Sequence, residues 1–192
     1  LCVPGRGEDK QDCLSLRAQV HWPDALVVHR LDMATSGLVL MARSPTLQKT
    51  LSQAFAERRI DKLYEAVVHG QPGSTPEAGW QCIDLPLRID WPNRPRSRVD
   101  PELGKPSQTL WRELGPGPLP GTRRLALRPL TGRTHQLRLH CQAQGWPLLG
   151  DALYAPPEVQ ALSPRLLLHA CQLAFTHPVT GQTLRLHSPV PF

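Results

Sequence analysis

The sequence is poor in lysine and aromatic residues and has no long apolar run, and each shortage excludes something. No stretch approaches the ~20 uninterrupted apolar residues of a membrane-spanning helix, so no membrane partner is expected. Residues 1–10 hold no basic region followed by an apolar core, and no signal peptide is expected there. None of the five cysteines, Cys2, Cys13, Cys82, Cys141 and Cys171, stands in a Cys-x-x-Cys pair. Their odd number and wide spacing read as reduced thiols in a cytoplasmic protein. A zinc pattern is also missing. His135 and His140 are five apart, about 140° around a helix, and so diverge. No internal repeat is present. The 21 prolines and 14 glycines follow no period, which excludes collagen and leaves little room for long helices.

What remains is a chain of 192 residues, 40% hydrophobic and 20% charged, sufficient for one domain or a tightly joined pair with a sizeable core. The net charge is +6, carried by 22 basic residues of which only four are lysine. Arginine suits planar, bidentate contact with phosphate. Arg88, Arg94, Arg96 and Arg98 fall in one stretch with little acid around them. Arg123, Arg124, Arg128, Arg133 and Arg138 fall in another with no Asp or Glu between them. Two solvated faces would account for such blocks, and so would a surface that tracks the phosphates of a nucleic acid.

The pattern predicts an α+β fold: a mixed, mostly antiparallel central sheet flanked by helices. A short helix is expected over residues 12–20, capped by Asp12 or Ser15. The apolar run 37–42 reads as a covered strand. Ser44 and Pro45 open a helix whose apolar face is Leu47, Leu51, Ala54 and Phe55, ended by Arg58 and Arg59. Strands follow at 63–69 and 82–89, the latter interrupted by Pro86 and suited to an edge. Residues 70–79 form a turn-rich connection. Residues 91–105 are basic and proline-rich, and read as an exposed loop. Strands at 108–114 and 123–129, a helix from 134 to about 144 stopped by Gly145, and closing strands at 166–176 and 183–187 complete the chain.

Three places can carry chemistry. Asp32 sits in residues 29–37, His-Arg-Leu-Asp-Met-Ala-Thr-Ser-Gly, a polar turn running into an apolar strand. A carboxylate at a strand mouth is a good nucleophile or base position, although spacing alone favours an ordinary helix-cap or turn residue. Arg30 nearby can orient the loop or meet a phosphate. Arg133 falls at the start of the later helix, where a cation gains nothing from the dipole; an anionic partner, either Asp32 or a phosphate, would explain it. His135 and Gln136 can donate to a phosphate or a base edge. Tyr64, in its strand, can stack on a base and offer a hydroxyl, or simply fill the core.

These segments resemble the RluA-type pseudouridine synthases. Residues 29–37 resemble that family's catalytic motif, and 132–140 its later arginine motif. Lys62-Leu63-Tyr64-Glu65-Ala66 resembles the segment with its active-site tyrosine, and Leu167-Leu168-His169-Ala170 fits near the C-terminus. Residues 90–95, 104–106 and 164–170 resemble segments of members acting on both large-subunit ribosomal RNA and transfer RNA. The likeness spans residues 3–192. It implies one pseudouridine synthase catalytic domain over 1–192, without an S4-like domain and lacking the opening strand and Lys-Pro-x-Gly segment usual before the position of Leu1. It further implies conversion of uridine to pseudouridine in RNA hairpins, of large-subunit (23S) ribosomal RNA and the transfer RNA anticodon stem-loop, by a monomer with no metal or other cofactor. Asp32 would be the essential carboxylate, Arg133 its partner and Tyr64 the stacking tyrosine. Arg30 would fill the gap left by the everted nucleotide, and Arg94, Arg96, Arg98, Lys105, His135 and Gln136 would contact RNA. His29, Leu31, Arg138 and Leu168 would support the site. The competing classes are a synthase of this family with another target, a non-catalytic RNA-binding module, which needs no Asp beside its arginines, and an Asp-nucleophile hydrolase using His29 or His135 to activate water.

Overall fold

The alternating residues around Tyr64 build the centre of the sheet. In a computed structural model describing residues 1–3, 12–73 and 79–192, they form β4 (Asp61–His69), whose Val67 and Val68 are fully buried. The preceding elements are α1 (Leu14–His21), β1 (Leu26–Val27), β2 (Ser36–Gly37), β3 (Met41–Ala42) and α2 (Pro45–Ala56). After β4 come β5 (Gln81–Asp84), β6 (Leu87–Ile89), β7 (Ser97–Val99), β8 (Gln108–Pro116), β9 (Thr122–Pro129) and α3 (Gln136–Ala143). The chain closes with α4 (Pro157–Gln160), β10 (Leu168–Thr176) and β11 (Thr183–His187). The main sheet runs β11-β10-β4-β9-β8-β5, antiparallel throughout, with β2 joining β10 in parallel. The expected α+β class with a mostly antiparallel sheet is therefore the observed one.

Helix starts follow the local chemistry in one case and not in two others. Ser44 caps α2, its hydroxyl accepting the Leu47 N–H at 3.3 Å, with Pro45 at the first position. At α1 neither Asp12 nor Ser15 is the cap. Cys13 holds that place without capping the helix through its side chain, and Asp12 is taken up by Arg17 at 2.6 Å. At α3 the helix begins two residues later than its polar sequence suggests, because His135 adopts a left-handed backbone, φ 56°. The run 37–42 is not one covered strand. Gly37, at φ 114°, turns the chain after two residues of pairing with β10, and a Cβ there would stand 2.3 Å from the Ala170 carbonyl oxygen. The chain then leaves the main sheet, and β3 pairs with β1. Residues 91–105 are not all loop either, since 97–99 pair with 87–89 as the β6–β7 hairpin. Part of the 70–79 connection lies outside the described residues.

Strand register positions the site. Gly37, Ala170, Tyr64, Leu127 and Trp111 form one row across β2, β10, β4, β9 and β8. The loop carrying Asp32 thus enters the sheet two strands, about 10 Å, from Tyr64. On Tyr64's face, α3 packs Leu137 and Cys141 with Ala66, Val68, Leu125 and Leu127. A second cluster joins Leu51 and Ala54 of α2 to Leu173 and Phe175. Val67, Leu149, Val159 and Leu167 form a third, with Phe192 against it.

Candidate active site

Because α3 must bury Leu137 and Cys141, its neighbouring side chains are aimed at the β4 end that carries Tyr64. Arg138 is 4% exposed and lies between two carboxylates. Its Nε and Nη2 donate to Asp151 at 2.8 and 2.6 Å, a planar bidentate pair. The remaining nitrogen, Nη1, faces Asp32 Oδ2 at 3.7 Å. Asp151 is 1% exposed and also accepts the N–H groups of Leu153 and Tyr154 at 2.9 and 3.1 Å. Burial acts against the Arg138 charge, but the hydrogen bonds and charge of Asp151, with Asp32 adding, leave its pKa above the usual arginine value.

The expected pairing of Arg133 with Asp32 is corrected by this geometry. Arg133 is exposed, and its Nε and Nη2 donate to the Pro106 carbonyl at 3.3 Å. With α3 beginning at Gln136, Arg133 lies in the turn before the helix and Arg138 in its first turn, next to the core residue Leu137. Gln136 is corrected as well. Expected on an RNA surface, it is 4% exposed, and its amide is used internally. Its oxygen accepts from Thr131 Oγ1 and the Arg133 N–H, and its nitrogen donates to the Gln108 carbonyl and Thr109 Oγ1. His135 does reach the site: its Nε2 is 4.0 Å from Asp32 Oδ1. Burial pushes its pKa below the ordinary value, with Asp32 pulling the other way.

Tyr64 is half-buried, and burial, reinforced by the Asp32 charge, raises the pKa of its phenol. The hydroxyl therefore keeps its proton at neutral pH. The Asp32 loop is held from several sides. Leu31 is buried, the Leu40 N–H donates to His29 Nε2 at 2.9 Å, and the His29 ring stacks on Phe55 at 4.2 Å. Burial, with the Lys62 charge behind it, pushes the His29 imidazole down to about 4. Leu168 sits in the core opposite Ala66. Arg30 is exposed, close enough to His135 for its charge to lower that pKa further.

Around this centre lie the basic groups of the hairpin. Arg94 stacks on Trp91 at 4.1 Å, and Arg98 pairs with Asp100 at 3.1 Å. A cleft of about 430 Å³ is lined by Arg88, Trp91, Leu103, Lys105, Arg133 and Thr134. Another of about 450 Å³ runs past Arg96, Arg98, Gln142 and Tyr154. Among the described residues no His/Cys/Asp/Glu cluster could hold a metal, and no helix is long and apolar enough to cross a membrane.

Reading the sequence passes over Asp151 and Tyr154. The signal lies in Gly150-Asp151, a turn pair closing the apolar run 146–149. Gly150 has φ 71°, and a Cβ there would meet the Arg165 carbonyl oxygen at 1.9 Å. An Asp behind an obligatory glycine in apolar surroundings is a natural counter-ion for a buried arginine.

A carboxylate, a buried arginine and a protonated tyrosine thus come together over the central strands of an antiparallel sheet, with exposed arginines nearby. The sheet is shared with known proteins. The human protein RNA Pseudouridylate Synthase Domain Containing 1 superposes with a TM-score of 0.79 over 94% of this chain and 75% of its own, at 30% identity. Its relative, Domain Containing 4, gives 0.73 over 100% and 82%, at 21% identity, a likeness of fold. The sequence model of the RNA pseudouridylate synthase family matches residues 1–143. The Dual-specificity RNA pseudouridine synthase RluA of Escherichia coli (strain K12) is 46% identical over 192 residues, covering 100% of this chain and 85% of that protein. The protein of that name from Pasteurella multocida (strain Pm70) is 45% identical over the same shares. The chain belongs to the RNA pseudouridylate synthase family. It is a pseudouridine synthase, an isomerase that modifies RNA.

Proposed function

We propose that residues 1–192 form one catalytic domain that isomerises a uridine in both a large-subunit ribosomal RNA hairpin and a transfer RNA anticodon stem-loop, with Asp32 as the catalytic carboxylate. The dual target follows the name of relatives 45–46% identical to this chain. The observation that carries the assignment of Asp32 is the 3.7 Å approach of Arg138 Nη1, a buried guanidinium whose other nitrogens are held by Asp151.

The reaction breaks the N1–C1′ bond, turns the uracil and joins C5 to C1′; C5 then loses its proton and N1 gains one, so the composition is unchanged. No electrons are exchanged, and neither metal nor redox cofactor is needed. Attack on C1′ and removal of a sugar proton both require an ionised carboxylate, and the Arg138 guanidinium faces that carboxylate at 3.7 Å. Tyr64 has a flat face for the uracil and a retained phenolic proton at the right end of β4. The glycosidic bond is reachable only with the nucleotide out of the helix, and exposed Arg30 has the length to occupy the vacated space. Arg94, Arg96, Arg98, Lys105 and Arg133 then hold phosphates, since all are exposed. A monomer in the cytoplasm completes the reading.

The test is pseudouridine mapping in total RNA from cells with and without the gene, repeated with a gene carrying Asp32→Asn. Signals at one ribosomal and one transfer RNA site should vanish in both. Loss at other sites, or a D32N gene that restores them, would overturn the reading.

A further inference from the structure

Among the described residues, His135 is the one group facing Asp32 that the proposed chemistry leaves without a task. Its placement is costly. It is one of two non-glycine residues with positive φ among those described, a conformation that L side chains resist. The side chain is then held from behind. Nδ1 lies 2.7 Å from the Tyr154 hydroxyl, and the Tyr154 ring packs edge-on against the imidazole at 5.6 Å. The same hydroxyl accepts the Ser97 N–H of β7 at 2.8 Å. Tyr154 itself is pinned by Asp151, which accepts its N–H, and its ring lies 5.2 Å from the Arg138 guanidinium.

Proton placement follows from electrostatics. A neutral imidazole has one N–H. On Nδ1, it would leave the Nε2 lone pair towards the Asp32 carboxylate. On Nε2, it turns a positive N–H dipole to that carboxylate, and Nδ1 accepts the Tyr154 proton while Ser97 satisfies the phenol oxygen. The Ser97 N–H and the Tyr154 hydroxyl then each meet an acceptor.

We propose that His135 and Tyr154 are positioning residues for Asp32: Tyr154, anchored on Ser97 of the β6–β7 hairpin, holds His135 as the Nε2–H tautomer turned to the carboxylate. At 4.0 Å the contact is longer than a hydrogen bond, so His135 orients Asp32 through its dipole. The inference rests on Asp32 being the reacting carboxylate. It also ties the hairpin that carries Arg94 and Arg96 to the reacting centre by a route of three side chains and one backbone N–H.

The experiment uses the full chain and a synthetic anticodon stem-loop, with single-turnover rates at saturating enzyme and RNA affinity measured separately. Tyr154→Phe keeps the ring contacts and removes only the hydroxyl. Its saturating rate should fall roughly ten-fold, the scale of one hydrogen bond, with RNA affinity within about two-fold of the parent. In a His135→Gln background the same change should cost nothing further, because the route is already cut. Nitrogen NMR of the free protein should find Nδ1 unprotonated in the parent and its resonance shifted in Y154F. An unchanged rate in Y154F, equal losses in both backgrounds, or an Nδ1–H tautomer would each overturn the proposal. D32N separates the two readings. An active D32N removes Asp32 from the chemistry and this role with it, whereas an inactive D32N beside a fully active Y154F removes only the positioning role.

Discussion

Arg138 and the hairpin arginines share a charge and differ in almost everything else. Arg138 is 4% exposed and fixed by two bonds to a carboxylate that is 1% exposed. The Arg98 side chain is 56% exposed, and Arg94 rests on Trp91 at the surface. A buried guanidinium has one orientation and acts on one atom. An exposed one samples many orientations and acts through its charge, screened by salt. On the proposed function, burial divides the arginine that positions chemistry from those that attract RNA, and each side of that division can be pressed by substitution.

The largest effect is expected at the anion facing the buried arginine. Asp32→Asn keeps shape and removes charge, so turnover on an RNA hairpin should fall by ~10³-fold or more while RNA affinity and the unfolding midpoint hold. Substantial pseudouridine formation by purified D32N would contradict the assignment.

Next comes the clamp itself. Arg138→Lys cannot satisfy Asp151 bidentately and also face Asp32, and a displaced group of this kind costs roughly 10²-fold in turnover. Removing the charge with Arg138→Met strands Asp151 and should destabilise the fold by roughly 3–5 kcal/mol in denaturant titrations. Arg133→Lys, at an exposed site, should leave turnover within about three-fold. If R133K proves the more damaging lysine variant, the division between buried and exposed arginines fails at this site.

On the exposed side, Arg94→Ser and Arg96→Ser should weaken RNA binding with little change in the saturating rate. The slope of log affinity against log salt should drop by about 0.7–0.9 for each phosphate that is no longer neutralised. An unchanged slope would remove the hairpin from the phosphate-binding surface.

The smallest effect concerns the loop behind Asp32. His29 is neutral in the fold, with a pKa of about 4, and in the unfolded chain returns to 6.5. Between those values the unfolded state binds the extra proton, so this contribution is complete above pH 6.5 and is lost as pH falls towards 4. His29→Gln should flatten the decline of the unfolding midpoint across that window, and a parallel decline in both proteins would show that His29 does not titrate there.

The parts that can be read before folding are those whose cause is local. Ser44 and Pro45 announce α2 because capping involves adjacent residues only, and the alternation around Tyr64 announces β4 because side chains on a strand alternate faces. The stretches around Asp32 and Tyr64 are legible as motifs. The hairpin at β6–β7 is not, since three residues pairing with three others carry too little local preference to outweigh two prolines and a run of charge. The start of α3 escapes sequence reading for a related reason: His135 takes a left-handed backbone, uncommon for any non-glycine residue, which its sequence neighbours do not announce. That shift puts Gln136 inside the protein and Arg138, not Arg133, opposite Asp32. Residue types and their order are enough to name an acid, a tyrosine and a set of arginines. Which arginine meets the acid depends on how α3 rotates to bury Leu137 and Cys141 against the sheet, and on Asp151 arriving from a later turn to hold the guanidinium. Packing sets helix rotation through residues distant in sequence, so that choice belongs to the tertiary structure alone.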